Sequence, residues 1–511
     1  MFGALGKGFS IAFTVSNIIG VSIGVLLGII LGAIPGLTGT MAIALLIPIT
    51  YYMDPVLSIS LLMGCYKGSV YGGSVSAILL NTPGTPEAAA TAFDGYPMTL
   101  HGRPKKALTT ALTASVIGDS FSDLVLLFSA MPIAMIALKI GPPEYAMLVL
   151  FSLTVVASIA GSSMTRGMIA AFLGLLIATV GLDPISTHRR YTFNSIDLDR
   201  GIQLLPLLIG LLALSEIFLQ IEEGVSGRRK DKDIVSKQDA KKASAIGDEG
   251  GALTVKELLR LLPTIFRSAA IGTVLGAIPG IGSITAAFLG YDQAKRTSKH
   301  PEKFGKGAIE GVAAPEAANN AVCGANMIPV VTLGIPGSLS AAVLMGAFMV
   351  HGLMPGPMLM QEQPSTLYAL FVLMLIANGL MFIISRPLLG VALHVITINR
   401  AVLFPPIIIF CGIGAFGIDM NFFDMKVMLF FALVGYGMKK LELSPAIFLI
   451  SFILGPLAEH SIRLSLIISK GSILIFFSRP ISLLLFLLCI ASILWSITRM
   501  RKPRDQSIPE I

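Results

Sequence analysis

Charge is scarce in this chain. Asp, Glu, Lys and Arg supply 13% of its 511 residues, against roughly 25% in soluble domains. With 54% hydrophobic residues and a mean hydropathy of +0.82, that scarcity excludes a soluble globular protein. Cysteine is almost as rare. Cys65, Cys323, Cys411 and Cys489 are scattered through apolar sequence without paired or metal-like spacing, which excludes a disulfide scaffold and a zinc site. No GxxxxGK[ST] loop occurs, so this chain does not hydrolyse ATP through such a loop. The net charge of +8 lies mainly in loops and the tail, where it reports topology and gives no reason to expect nucleic acid. No cleavable signal peptide is evident either, because the first long apolar run continues straight into a Gly/Pro motif.

What the chain has in quantity is apolar runs of about 20 residues, each long enough to cross a bilayer. Short alternating strands, the mark of a membrane barrel, are missing. The expectation is an all-α polytopic membrane protein. Two of its runs are broken alike, at Gly28-Ile-Ile-Leu-Gly32-Ala-Ile-Pro35-Gly36-Leu-Thr-Gly39 and at Gly272-Thr-Val-Leu-Gly276-Ala-Ile-Pro279-Gly280-Ile-Gly282. Pro and clustered Gly interrupt a helix and leave backbone polar groups that hydrocarbon cannot satisfy. A second pair of breaks follows in the same order, Asn81-Thr82-Pro83-Gly84-Thr85 and Gly334-Ile335-Pro336-Gly337-Ser338. Matched breaks in two halves point to a substrate or ion site between related repeats of a transporter.

In chain order we expect a first transmembrane repeat over 1–221, a polar cytoplasmic linker over 222–262, a second repeat over 263–471, and a final helix with a basic tail over 472–511. Cation bias orients the halves. Loop 51–55 lacks Lys and Arg whereas its counterpart 292–306 is rich in them; loop 101–106 is basic whereas 351–365 has none. By the positive-inside rule, equivalent loops then face opposite sides of the membrane. The expectation is two inverted-topology repeats built on broken or re-entrant helical hairpins.

A helix that restarts after a break offers free N–H groups and the positive end of its dipole, which suits an anion. The residues expected to meet it are Thr38, Thr40, Asn81, Thr82, Pro83, Gly84, Thr85, Gly282, Ser283, Pro336, Gly337 and Ser338. Carbonyls around Gly36, Gly39 and Gly280 offer oxygens to Na⁺. The competing account is that these Gly and Pro only permit kinks and close packing.

Ionisable groups inside apolar runs form the second signal, since a charge there faces a cavity or a partner. Lys67 reads as a cation for a substrate carboxylate or as half of an internal salt bridge. Asp119 and Asp123, four apart on one helix face, suit proton or cation handling or a structural pairing. Glu316, Asn319 and Asn320 share another face and read as site residues, Glu316 for the coupling ion, or as helix-to-helix hydrogen bonds. Enzyme readings are weak. The pair Asp119 and Asp292 resembles an intramembrane aspartyl protease only faintly, because Asp292 opens a charged loop. Gly224-Val225-Ser226-Gly227 falls in the polar linker rather than in a cavity.

At GAIPGLTGTMAIALLIPITYYMDP, YGGSVSAILLNTPGTPEAAATAFDGYPM and EGVAAPEAANNAVCGANMIPVVTLGIPGS the chain resembles the large membrane subunit of the tripartite tricarboxylate transporters. The resemblance covers nearly the whole chain. Its Gly/Pro motif maps onto Gly28, Gly32, Pro35, Gly36 and Gly39 and, in the repeat, onto Gly272, Gly276, Pro279, Gly280 and Gly282, with Ser283 standing where Gly39 stands. The resemblance implies a multi-pass protein of the bacterial inner membrane. It would work with a small membrane subunit and a periplasmic solute-binding protein, importing a citrate-like organic carboxylate on a Na⁺ or H⁺ gradient without other cofactors. The alternatives are a binding-protein-independent exporter or channel-like permease and, third, an intramembrane enzyme.

Overall fold

A computed structural model describes residues 2–159, 163–225, 250–388, 400–417 and 420–501. Most of the charged linker, 226–249, and the tail from 502 onward lie outside the described residues. Among the described residues the regular structure is helical, apart from a two-residue ladder pairing Gly181–Leu182 with Arg189–Arg190. In order come α1 (Phe2–Ala12), α2 (Val15–Ala33), α3 (Gly39–Thr50), α4 (Pro55–Leu80), α5 (Ala89–Leu100), α6 (Pro104–Ala137), α7 (Pro142–Ile159) and α8 (Met164–Ala178). After α9 (Leu204–Glu223) follow α10 (Val255–Gly276), α11 (Gly282–Thr297), α12 (Ile309–Leu333), α13 (Leu339–Val350), α14 (Pro364–Leu388), α15 (Arg400–Gly417), α16 (Phe422–Lys440), α17 (Pro445–Ile468) and α18 (Pro480–Arg501). Six of them, α2, α6, α9, α10, α14 and α17, are long and apolar enough to cross a membrane. This is an all-α polytopic membrane protein.

Two helix limits differ from the sequence reading. α10 begins at Val255, inside the stretch taken for the linker, because Thr254 and Glu257 form a capping box that starts a helix there. α11 runs past Asp292 to Thr297, because Asp292 pairs with Arg296 one turn on and Lys295 and Arg296 suit the negative end of the helix.

The chain divides into two compact units, one of Met1–Ala137 with Leu204–Tyr436 and the other of Leu138–Gln203 with Gly437–Ile511. The first holds all four Gly/Pro breaks. Its tightest seam is α2 against α4. Gly24, Gly28 and Gly32 recur every four residues along α2, and a Cβ on them would strike the carbonyls of Leu61, Cys65 and Ser69. Gly64, Gly68 and Gly72 of α4 answer with the carbonyls of Val21, Val25 and Ile29. Glycine here lets two backbones touch.

The second half builds the same seam. A Cβ on Gly272 of α10 would strike the Ala318 carbonyl of α12, and one on Gly276 would meet Val322. A displacement of 253 residues therefore separates Cys65 from Ala318 and Ser69 from Val322, as it separates Pro83 from Pro336. α4 ends on Asn81 and α12 on Gly334, both left-handed. Gly84 is then folded against the Gly32 carbonyl, and Gly337 against that of Gly276. One helix of each half packs into the other half: α6 lies on α10 and α12, and α14 lies on α2 and α4.

In the second unit, α17 packs on α7 and α8 while α18 packs on α7. Arg463 of α17 joins Asp183 at 2.6 Å and Glu459 at 2.9 Å, and Arg190 reaches Glu459 at 2.7 Å. These ions pin the loop after α8 to the end of α17.

Candidate functional site

The breaks bring helix starts together. Thr38 caps α3 by accepting from the Met41 N–H at 3.3 Å. Ser338 caps α13 by accepting from the Ala341 N–H at 3.2 Å. Two residues inside these caps the hydroxyls of Thr40 and Ser340 lie 2.7 Å apart. Each cap satisfies one of the amides a helix leaves unpaired at its start. Asn326 of α12 donates from Nδ2 to Ser338 Oγ at 3.0 Å and to the Tyr66 hydroxyl at 3.4 Å. The Gly280 N–H donates to the Gly337 carbonyl at 2.7 Å. Gln220 of α9 donates to the Gly36 carbonyl at 2.8 Å. Gly36 and Gly280 both hold φ at 89°, a backbone region closed to most side chains.

Other break residues are engaged locally. Asn81 is the exposed C-cap of α4 at φ 52°, a conformation that Asn tolerates better than most residues. Thr82 donates to the Leu80 carbonyl at 3.2 Å. Gly84 donates to the Gly73 carbonyl at 3.0 Å, and the buried Thr85 packs on Gly73. The half-buried Pro83 introduces that turn. On the other side Pro336 and Gly337 are buried, and Gly39 starts α3 against Ser69. Gly282 opens α11 at φ 69°, with the half-buried Ser283 next to it.

A second constellation lies where α4, α6, α12 and α14 meet. Lys67 is 1% exposed. Its ammonium stands 2.8 Å from Asp119 Oδ2 and 2.7 Å from Asp123 Oδ2, and it donates to Asn378 Oδ1 at 3.2 Å. Lys67 thus hydrogen-bonds two protein acceptors, Asp123 and Asn378, and meets Asp119 as an ion pair without hydrogen-bonding geometry, so the ion-pair reading of Lys67 describes its observed contacts. Asn378 returns a bond from Nδ2 to Asp123 Oδ2 at 2.8 Å. One lysine against two carboxylates leaves one formal negative charge, which a buried site must offset.

Glu316 is held differently. Its Oε1 accepts from Ser74 and Thr91, each at 2.5 Å, and its Oε2 from Ser115 at 2.8 Å. Asn320 donates to the same Ser115 oxygen at 2.9 Å. Asn319, also buried, has neither amide atom hydrogen-bonded. By the displacement of 253, Tyr66 and Lys67 of α4 correspond to Asn319 and Asn320 of α12.

Sequence reasoning missed Tyr66, Ser74, Thr91, Ser115, Asn326, Ser340 and Asn378. Asn326 and Asn378 were visible as lone amides in apolar runs. The hydroxyls carry no such signal, because Ser and Thr are tolerated anywhere on a membrane helix by bonding to the preceding turn.

The chain is 36% identical over 507 residues to the uncharacterized 52.8 kDa protein in the TAR-I ttuC' 3'region of Agrobacterium vitis, covering 99% of this chain and 98% of that one. It is 40% identical over 240 residues to the uncharacterized protein in the TAR-II ttuC' 3'region of the same organism, covering 47% of this chain and 99% of the other. No solved structure matches. Residues 18–450, which span both pairs of Gly/Pro breaks and the buried lysine, match the tripartite tricarboxylate transporter TctA family, to which this chain belongs.

Proposed function

We propose that this protein is the permease of a three-component importer for a tricarboxylate or a related organic anion. It is driven by a cation gradient in the bacterial inner membrane, served by a small membrane subunit and fed by a periplasmic solute-binding protein. The observation that carries this reading is the meeting of α3 and α13 at Thr40 and Ser340. Each helix begins at a hydroxyl cap, and each turns amides and the positive end of its dipole toward its start. Thr38, Thr40, Ser338 and the Pro336-Gly337 backbone would receive the solute carboxylates from one side. Gly282 and Ser283 of α11 and the segment Thr82–Thr85 would receive them from the other. Contact between α11 and the short turn of helix Pro86–Ala88 supports that second pairing. Carbonyls at Gly36, Gly39 and Gly280 would take part in holding a cotransported Na⁺ if that is the ion. The repeats are read as inverted, with support from the opposed cation bias and the exchange of α6 and α14 between halves. One half moving against the other would expose the site alternately.

Uptake of labelled citrate by proteoliposomes holding both membrane subunits tests this reading. We expect uptake to require the solute-binding protein and an ion gradient. Uptake that persists without the binding protein would favour the self-sufficient permease, and outward movement alone would favour the exporter.

A further inference from the structure

Three of the buried carboxylates of the first unit, Glu316, Asp123 and Asp119, differ in what already surrounds their oxygens. Glu316 accepts from three hydroxyls, so both its oxygens are served by protein donors. Asp123 receives Lys67 and the Asn378 amide on Oδ2. Asp119 is 0% exposed and has only its share of the Lys67 ammonium; neither of its oxygens has a partner in hydrogen-bonding geometry. The Gly324 amide of α12 is turned toward it without closing a bond. Among the described residues, the other groups facing Asp119 are Asp123 on its own helix, Lys67 of α4 and Cys323 of α12, with Asn378 of α14 beyond Asp123. Its environment is therefore short of donors and carries one uncompensated negative charge.

A bare carboxylate oxygen in such a place takes up positive charge. Sodium is a poor occupant, because it needs several oxygens around it and would stand beside an ammonium already 2.8 Å from Asp119. A proton needs one oxygen and no shell. We propose that Asp119 carries a proton through the transport cycle, bound on Oδ1, with Lys67 passing to Asp123 and Asn378 when the proton is on. The step is a protonation only. The carboxylate gains H⁺ from water on one side of the membrane, one O–H bond forms, and the cluster goes from one negative charge to none. The bond breaks when the proton leaves to the other side and Lys67 returns to Asp119. This identifies the coupling ion within the importer reading above and rests on it.

Infrared difference spectra of the purified protein in lipid, recorded across pH with no organic anion present, test the assignment independently of cargo. Wild type should show a protonated-carboxyl stretch that titrates. Asp119→Asn should lose it, Asp119→Glu should shift it, and Glu316→Gln should keep it. A wild-type spectrum without a titrating band, or a band untouched in Asp119→Asn, overturns the proposal. In proteoliposomes an inward proton gradient should accelerate labelled-citrate uptake by wild type, with the acceleration lost in Asp119→Asn. Uptake driven by a sodium gradient alone at equal pH would also overturn it. Absence of citrate movement under every gradient would count against the importer reading and leave the infrared result to stand by itself.

Discussion

Thr40 and Ser340, 300 residues apart in sequence, share a hydroxyl–hydroxyl hydrogen bond of 2.7 Å. It fastens the start of one restarted helix to the start of the other. Either oxygen can donate, and each hydroxyl keeps a lone pair for a ligand.

Thr40→Val and Ser340→Ala should each weaken citrate binding, and the double variant should be little worse than either single one. A net hydrogen bond is worth about 0.5–1.5 kcal/mol, so the coupling energy in a double-mutant cycle should fall in that range. Equilibrium binding to the reconstituted complex measures it. Strictly additive effects would mean that the two hydroxyls act independently.

Lys67→Met should be among the most damaging substitutions in the chain. It leaves Asp119 and Asp123 buried without their shared cation, and breaking a buried pair in this way costs about 3–5 kcal/mol. Thermal unfolding in detergent should show a large loss. Asn378→Ala, which removes one amide from Asp123, should cost less. Equal stability of Lys67→Met and wild type would contradict the observed pairing.

Gly28→Ala and Gly272→Ala should destabilise the two seams alike, because each new methyl meets a backbone carbonyl that cannot turn aside. Overpacking of this kind costs about 1–3 kcal/mol. Gly379→Ala is the control: that position on α14 has nothing within 4 Å, and alanine favours the helix by about 1 kcal/mol. Yields of folded protein after heating in detergent should rank Gly379→Ala at or above wild type and the other two well below.

The loop after α8 should respond to acid. Hydrogen bonds from Arg463 and from the Ser186 and Ile185 amides hold the Asp183 carboxyl below the ordinary carboxylate range. A group lowered in the folded state contributes stability above its unfolded value, roughly 3.9 for Asp, and loses it as pH falls through the lower folded value. Wild type should therefore lose stability below about pH 4, and Asp183→Asn should start lower and show less of that acid dependence. Identical acid profiles for the two proteins would remove Asp183 from the loop's anchorage.

The membrane class and the four breaks were legible in the sequence because each violates a rule that lipid enforces. A run of apolar residues without charges is long enough to span, and Gly36 or Pro336 inside it has to be explained. Lys67, Asp119 and Glu316 stood out for the same reason. Who meets whom was not legible. Nothing local says that Lys67 on α4 will find two carboxylates on α6, since the pairing depends on α6 crossing into the packing of the other helices. Asn81 shows the opposite limit. An amide two residues before a proline reads like a ligand, yet its backbone at φ 52° already accounts for the residue type. The start of α10 was readable in Thr254 and Glu257, but the charged run before them drew the boundary too late.

The interlacing of α6 with α10 and α12, and of α14 with α2 and α4, bears on biogenesis. α6 leaves the ribosome more than a hundred residues before α10 is made. Its face for those neighbours must meanwhile be sheltered by lipid or by the insertion machinery. A nascent chain arrested within the charged segment would hold a bundle with α6 unclasped. Expressed as two separate polypeptides, the fragments should survive only when both are made together.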